Sequence, residues 1–166
     1  MDMRTQALLC AEAGLRVHPL YEVDEALVCQ CWKGAQCDEK QRGKHPRLSA
    51  WQTVASSDPD TVARWWAQWP SAGIGVATGR ASRVWVLDCD GPEALAWYAE
   101  QSKVHGRTPT RGARTGRGRH FWWRFPDDEG VVIGNRQSVV PGVDVRGDGG
   151  YVVVPPTLHR SGVRYE

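Results

Sequence analysis

The chain has 166 residues, of which 41% are hydrophobic and 24% are charged, and its formal net charge is +2. This composition is typical of a folded domain and argues against a disordered tail, and so small a net charge does not by itself indicate a nucleic-acid-binding protein. The sequence has no apolar run of the ~20 residues that a membrane helix needs, and its first residues lack the apolar core of a signal peptide, so we expect no membrane association.

The first half of the chain is predicted to be rich in helix. Residues 4–13 are helix formers, and Gly14 follows where a helix C-cap is expected. A second helix is predicted to begin at residues 57–59, where Ser-Asp-Pro combines a capping side chain with a proline in the first turn. We predict helices over residues 4–13, from residue 57 to Pro70 and from Pro92 to about Gly106, and strands over residues 15–20, 73–77 and 84–88.

The second half is predicted to consist mainly of short strands. Apolar runs occur at residues 119–125, 131–133, 143–146 and 151–154, separated by Gly, Pro and Asn. A helix-rich half followed by a strand-rich half predicts an α+β fold of two abutting lobes. The chain ends at residues 165–166 within a further strand-like segment, so we expect it to be a fragment of a longer protein.

A pair of carboxylates ends the strand predicted at residues 84–88. Asp88 and Asp90 are two residues apart, so an extended backbone directs both side chains to one face of the sheet. Neighbouring carboxylates repel unless a positive charge lies between them, and Mg²⁺ or Mn²⁺ prefers such oxygen ligands. The pair is therefore a candidate divalent-metal site; a solvated strand end with an Asp-Gly turn has the same pattern.

A third carboxylate, Asp144, lies in the apolar strand predicted at residues 143–146, just before glycines at 147, 149 and 150. If this strand folds against the first pair, the three carboxylates complete a two-metal site. Such sites hold two ions ~3.5–4 Å apart and stabilise in-line displacement at phosphorus. Taken alone, Asp144 fits equally well as a capped or ion-paired strand residue.

One segment of the chain concentrates positive charge. It has seven basic side chains and no acidic one, whereas the whole chain has a net charge of only +2, and this segregation is what a phosphate-binding face requires. Within it, residues 115–120 (Thr-Gly-Arg-Gly-Arg-His) combine glycines, which allow close approach of the backbone to a phosphate, with donors at Arg119 and His120. A solvated surface run is the alternative interpretation. The seven are Lys103, Arg107, Arg111, Arg114, Arg117, Arg119 and Arg124.

Four potential ligands of a tetrahedral metal ion lie within 17 residues: Cys29, Cys31, Cys37 and His45. Thiols clustered on a loop without a metal are prone to oxidation. We therefore predict a Zn²⁺-binding loop at residues 28–47, with a structural role because protein fills all four positions; a loop of free thiols is the alternative. The other two cysteines, Cys10 and Cys89, are predicted to be buried.

Taken in chain order, these motifs resemble the primase–polymerase domain of the archaeo-eukaryotic primase superfamily, and in particular the bifunctional primase/polymerase (Prim-Pol) N-terminal domains of plasmid and phage replication proteins. The resemblance extends from about Ala7 to Tyr165 and implies one catalytic domain over residues 1–166, with an α/β lobe beside an antiparallel sheet lobe similar to an RNA-recognition motif. The matching segments are residues 43–46 (Gly-Lys-His-Pro) with Trp51, 73–79, 86–90, 115–120 and 143–156.

By this resemblance, Asp88, Asp90 and Asp144 are the ligands of Mg²⁺ or Mn²⁺, and His120 binds the phosphates of the incoming nucleotide. The resemblance also places Gly118, Arg119 and Arg146 in contact with the nucleotide or the template. The family usually has a small or hydroxyl residue two places before this histidine, and Gly118 is small but supplies no hydroxyl.

The implied activity is template-directed nucleotidyl transfer by a DNA primase and DNA polymerase in plasmid or phage replication, in the cytoplasm of a bacterium or a phage-infected cell. The implied partners are a single-stranded DNA template with its primer, a dNTP or NTP, and a helicase or helical primase region of the full-length protein. Trp122 and Trp123 are candidates for stacking on bases, with packing in the core as the alternative for both. Two other functions fit the residues: a metal-dependent nuclease or phosphohydrolase that uses the same carboxylates, and a non-catalytic origin-binding module.

Overall fold

A computed structural model describes residues 2–106 and 110–166, so Arg107 of the basic segment lies outside the described residues. The helices are α1 (Met3–Glu12), α2 (Trp51–Val54), α3 (Pro59–Gln68) and α4 (Gly91–Val104), with a 3₁₀ turn at Gly34–Gln36. The strands are β1 (Val17–Leu20), β2 (Gly73–Ala77), β3 (Val84–Asp90), β4 (Arg111–Arg114), β5 (Gly118–Arg124), β6 (Arg136–Val140), β7 (Val143–Arg146) and β8 (Tyr151–Val154).

The strands form two antiparallel sheets, which confirms the α+β prediction. The smaller sheet has the order β1-β2-β8, and the larger has the order β4-β5-β3-β7-β6. None of the helices in the described part of the chain is long and apolar enough to cross a lipid bilayer.

Local sequence accounts for the first turns of two helices. The Asp2 carboxylate accepts a hydrogen bond from the Thr5 amide at 2.9 Å and caps α1. Asp58 does the same for α3 through the Thr61 amide at 2.9 Å, and Pro59 occupies the first turn, where the absence of its N–H has no cost.

A single core joins α1, α3 and both sheets. It contains Val62 and Trp66 of α3, Ile74 of β2 and Val86 of β3, all at most 1% exposed, with Trp122 of β5 packed against it. Because Val86 belongs to the larger sheet, this core holds the two sheets together.

Helix α4 covers the opposite face of the larger sheet. Cys89 and Val143 of that face are fully buried against Ala94 and Tyr98 of the helix. One face of the larger sheet is therefore covered by α4. The other face packs into the shared core at Val86 and is free to carry polar side chains further along the strand.

The structure corrects two predicted strands and adds three elements that were not predicted, namely helix α2 and strands β4 and β6. Residues 131–133 are not a strand, and Val132 is 80% exposed; the strand that pairs with the outer edge of β7 is β6, which follows them. The last two residues are also outside the assigned strands, although Glu166 exchanges two backbone hydrogen bonds with Arg114 of β4. Helix α2 and strand β4 were not predicted, because neither has a marked hydrophobic period.

Candidate active site and cysteine cluster

The register of the larger sheet brings three of the predicted site residues together. Asp88 of β3 lies directly opposite His120 of β5 on one side and Asp144 of β7 on the other. Directly opposed residues share a face of the sheet, so these three side chains, and Asp90 two residues along β3, project from the same face. Arg146, opposite Val86, also belongs to this face.

Two arginines contact the three carboxylates. The Nη2 atom of Arg146 is 2.6 Å from Oδ2 of Asp144 and 3.6 Å from Oδ2 of Asp88, so one cationic nitrogen bridges the two. Arg117 pairs with Asp90 at 2.7 Å. These contacts show how the pairing of β3 with β7 is tolerated despite two carboxylates in directly opposed positions.

His120 is directed at Asp88. Its Nε2 atom is 3.4 Å from Oδ1 of Asp88, and its side chain is only 5% exposed. Burial by itself raises the pKa of Asp88, but His120, Arg146 and Lys44 outweigh it, so the pKa of Asp88 lies below its ordinary value. Asp88 is therefore ionised at neutral pH, as a metal ligand must be.

The donor set fits a divalent cation. Asp88 and Asp144 present oxygens to a single positive nitrogen, and a cation in that place would meet the hard oxygen ligands that Mg²⁺ and Mn²⁺ prefer. In the cysteine cluster, the ligand atoms all lie within 4.8 Å of one another.

The site opens into a cleft of about 780 Å³ that lies between the two sheets. Sequence analysis assigned no role to two residues that line it, Lys44 and Tyr151. The Tyr151 hydroxyl donates to the Lys44 carbonyl at 2.8 Å, and burial lowers the pKa of the Lys44 ammonium while Asp88 and Asp90 act in the opposite direction. Both residues belong to segments that carry the family resemblance, and this membership is the sequence signal that could have identified them as site residues.

Gly118 lies at the closest approach of two strands. It is directly opposite Asp90, and a Cβ atom at this position would come within 1.8 Å of the Cys89 carbonyl oxygen. Only glycine therefore permits β5 to pair with β3 at this point, so Gly118 shapes the site through the backbone rather than through a side chain.

Gly118→Ala is expected to lower the free energy of unfolding by at least ~2 kcal/mol, because the added methyl group forces β3 and β5 apart. Gly134→Ala is the matched control, since its Cβ would meet no atom within 4 Å. Chemical denaturation of both variants measures the difference, and equal stability of the two would contradict the steric argument.

The structure does not bring Arg119 to the cleft. It lies opposite Cys89, on the face of the sheet that α4 covers, and is exposed at the edge of that face. Other members of the basic segment are neutralised: Arg114 pairs with Glu166, Arg124 with Asp127, and Lys103 with Glu100. Positive charge is therefore segregated in the sequence but divided between two faces of the sheet.

The cysteine cluster is assembled as the spacing predicts. Cys29, Cys31 and Cys37 are buried and His45 is half-buried, with the His45 Nε2 atom 3.4 Å from Sγ of Cys29 and 3.7 Å from Sγ of Cys37. Tetrahedral zinc with ordinary bond lengths separates such ligand atoms by about 3.5–3.8 Å. Burial and the neighbouring sulfurs raise the pKa of the Cys37 thiol to about 12, so a cation is what would ionise it.

The sequence model of one protein family, described as "Bifunctional DNA primase/polymerase, N-terminal" (Prim-Pol), matches residues 7–166. The chain belongs to this family. Its membership gives the Prim-Pol domain a DNA primase/polymerase-type role in replication, with DNA and nucleotides as substrates and divalent metal as the expected cofactor. No curated protein matches the chain.

Both candidate tryptophans of this Prim-Pol domain pack against other side chains, which was the alternative to base stacking. Trp122 packs against the shared core, and Trp123 stacks on Trp85 with ring centroids 4.7 Å apart. Trp32, in the loop of the cysteine cluster, is instead 87% exposed. The two adjacent tryptophans therefore contribute packing on both faces of β5.

Proposed function

We propose that residues 1–166 form one catalytic domain that performs template-directed nucleotidyl transfer as a DNA primase and polymerase in plasmid or phage replication. The observation that carries the proposal is the register that places Asp88 between His120 and Asp144, with Asp90 on the same face of the sheet. A set of ionised carboxylates in a polar cleft is what a metal-assisted displacement at phosphorus requires.

In this proposal Asp88, Asp90 and Asp144 hold Mg²⁺ or Mn²⁺. The metal supplies electrostatic stabilisation of the charge that develops at phosphorus and lowers the pKa of the attacking hydroxyl. His120 orients Asp88 and contacts the phosphates of the incoming nucleotide beside Gly118. Arg146, which contacts Asp144 and Asp88, would donate to phosphate oxygens of the bound nucleotide.

We further propose that Cys29, Cys31, Cys37 and His45 hold a structural Zn²⁺ in the loop over residues 28–47. The separations of their ligand atoms support tetrahedral coordination. The expected partners are a single-stranded template with its primer, a dNTP or NTP, and a helicase or helical primase region of a longer protein. The expected compartment is the cytoplasm of a bacterium or a phage-infected cell.

Incubation with a labelled primer on a longer template tests the activity. With dNTPs and Mg²⁺ or Mn²⁺, we expect the primer to lengthen by nucleotides complementary to the template, and we expect no reaction without metal. Shortening of the primer without dNTPs would instead identify a nuclease. Binding of DNA without metal-dependent synthesis would identify a non-catalytic module.

A further inference from the structure

The loop that carries the cysteine cluster also forms a wall of the catalytic cleft. Lys44 directly precedes His45, and it lines the same cleft as Asp88 and Asp90. The cluster and the candidate active site are therefore joined by one peptide bond.

The backbone on both sides of that bond is fixed. The Lys44 amide donates to the Gln41 carbonyl at 3.0 Å, and its carbonyl accepts from the Tyr151 hydroxyl at 2.8 Å. The His45 carbonyl accepts from the Tyr21 amide at 2.9 Å. These bonds link the loop to the smaller sheet, so the position of Lys44 depends on the loop and on β8 together.

None of the described carboxylates that line the cleft forms a direct ion pair with Lys44. Each acidic side chain that lines the cleft is paired with an arginine: Asp88 and Asp144 with Arg146, Asp90 with Arg117, and Glu39 with Arg160. Across residues 2–106 and 110–166, no ion pair includes Lys44.

A half-buried ammonium group without a directly bonded anion is partly desolvated, and the charges of Asp88 and Asp90 offset only part of that cost. An anion bound in the cleft would supply the missing compensation. A lysine offers a compact charge with three donors, which suits phosphate oxygens in variable geometry.

We propose that Lys44 binds phosphate oxygens of the incoming nucleoside triphosphate, and that the cysteine cluster, through His45, holds it in place. This inference rests on the proposed function. The incoming nucleotide is favoured over the template because Lys44 lines the same cleft as Asp88 and Asp90, where the proposed metal would hold the triphosphate. The cysteine loop thus becomes a positioning element of the nucleotide site.

The test measures binding rather than synthesis. Calorimetric titration with dATP in the presence of Mn²⁺, and separately with inorganic triphosphate, is made on the wild type and on Lys44→Ala, Lys44→Arg and Lys33→Ala. Binding of a single-stranded oligonucleotide is measured on the same proteins. Lys33 is the matched control, because it is an exposed lysine of the same loop that does not line the cleft.

We expect Lys44→Ala to raise the Kd for dATP and for inorganic triphosphate by about ten- to a hundredfold, the loss of one charged hydrogen bond. Lys44→Arg should recover most of that loss, and Lys33→Ala should bind dATP like the wild type. Oligonucleotide affinity should change by less than about threefold.

Unchanged dATP binding by Lys44→Ala would overturn the role of Lys44, and so would weaker oligonucleotide binding alone, which would assign the lysine to the template. Failure of the wild type to bind dATP at all would overturn the proposed function together with this inference.

The positioning role has its own test. Cys37→Ser should raise the Kd for dATP in the same direction as Lys44→Ala, because the loop loses its anchor. Should that variant fail to fold, Tyr151→Phe removes only the hydrogen bond to the Lys44 carbonyl and should raise the Kd by about two- to fivefold. Wild-type affinity in a folded Cys37→Ser variant, or in Tyr151→Phe, would refute the positioning role.

Discussion

Replacement of Asp88, Asp90 or Asp144 by asparagine, one at a time, is expected to reduce primer extension by at least about 1,000-fold. Each change removes the ionised oxygens that the proposed metal site needs, and metal stabilisation of the transition state amounts to several kcal/mol. The fold should persist, because asparagine has nearly the same shape as aspartate and each of the three side chains lines the open cleft. Single-nucleotide incorporation, titration of Mn²⁺ and circular dichroism measure the three effects.

Asp127→Asn provides the matched control for these variants. Asp127 also forms ion pairs with arginines, Arg83 and Arg124, close to the larger sheet. Unlike the three site aspartates, it is exposed and does not line the cleft. Its loss should leave incorporation near the wild-type rate, since an exposed ion pair contributes little. Substantial extension by Asp90→Asn would remove Asp90 from the metal site.

Loss of one ligand of the cysteine cluster is expected to produce the second large effect. The wild type should contain about one zinc ion per chain, and Cys37→Ser should contain almost none. Because metal binding free energy is also folding free energy, the variant should lose roughly 3 kcal/mol of stability, which lowers Tm by about 6–12 °C in a domain of this size. Elemental analysis and thermal unfolding provide the measurements.

Cys10→Ala separates this effect from simple loss of a buried thiol. Cys10 is buried in the shared core, away from the cluster, so its replacement should leave the zinc content unchanged. Limited proteolysis adds a local readout, since cleavage within residues 28–47 should become faster only in Cys37→Ser. A wild-type protein that is free of metal and yet resists cleavage there would refute the zinc site.

Elements with strong local signals were predicted well. Caps at Asp58 and Pro59 marked the start of α3, and an apolar run ending in two aspartates marked β3. Strand β6 had no such signal: it begins with three polar residues, and Ser138 has a φ of +49°, which interrupts regular pairing. A strand was predicted at residues 131–133 because they are more apolar. They do not pair with β7, and such pairing depends on contacts distant in sequence that local composition does not indicate.

The carboxylates and the histidine of the candidate site were predicted from the sequence, but the arginines that pair with the carboxylates were not. Nothing local indicates that Arg146 bridges Asp88 and Asp144, because that contact depends on the register of β3 against β7. The position of Arg119 outside the cleft, by contrast, could have been predicted from the alternation of side chains along a strand. Adjacent residues of a strand face opposite sides, so Arg119 and His120 cannot both project into one cleft from a regular strand.

Strand β3, which carries Asp88, is hydrogen-bonded along both of its edges, to β5 and to β7. Its amide protons are therefore expected to exchange with solvent only through openings that disrupt the whole sheet, whereas β4 and β6, the outermost strands of the sheet, exchange through local opening. The relative positions of the carboxylates are therefore expected to persist until the domain unfolds, and local opening of the outermost strands leaves their spacing unchanged.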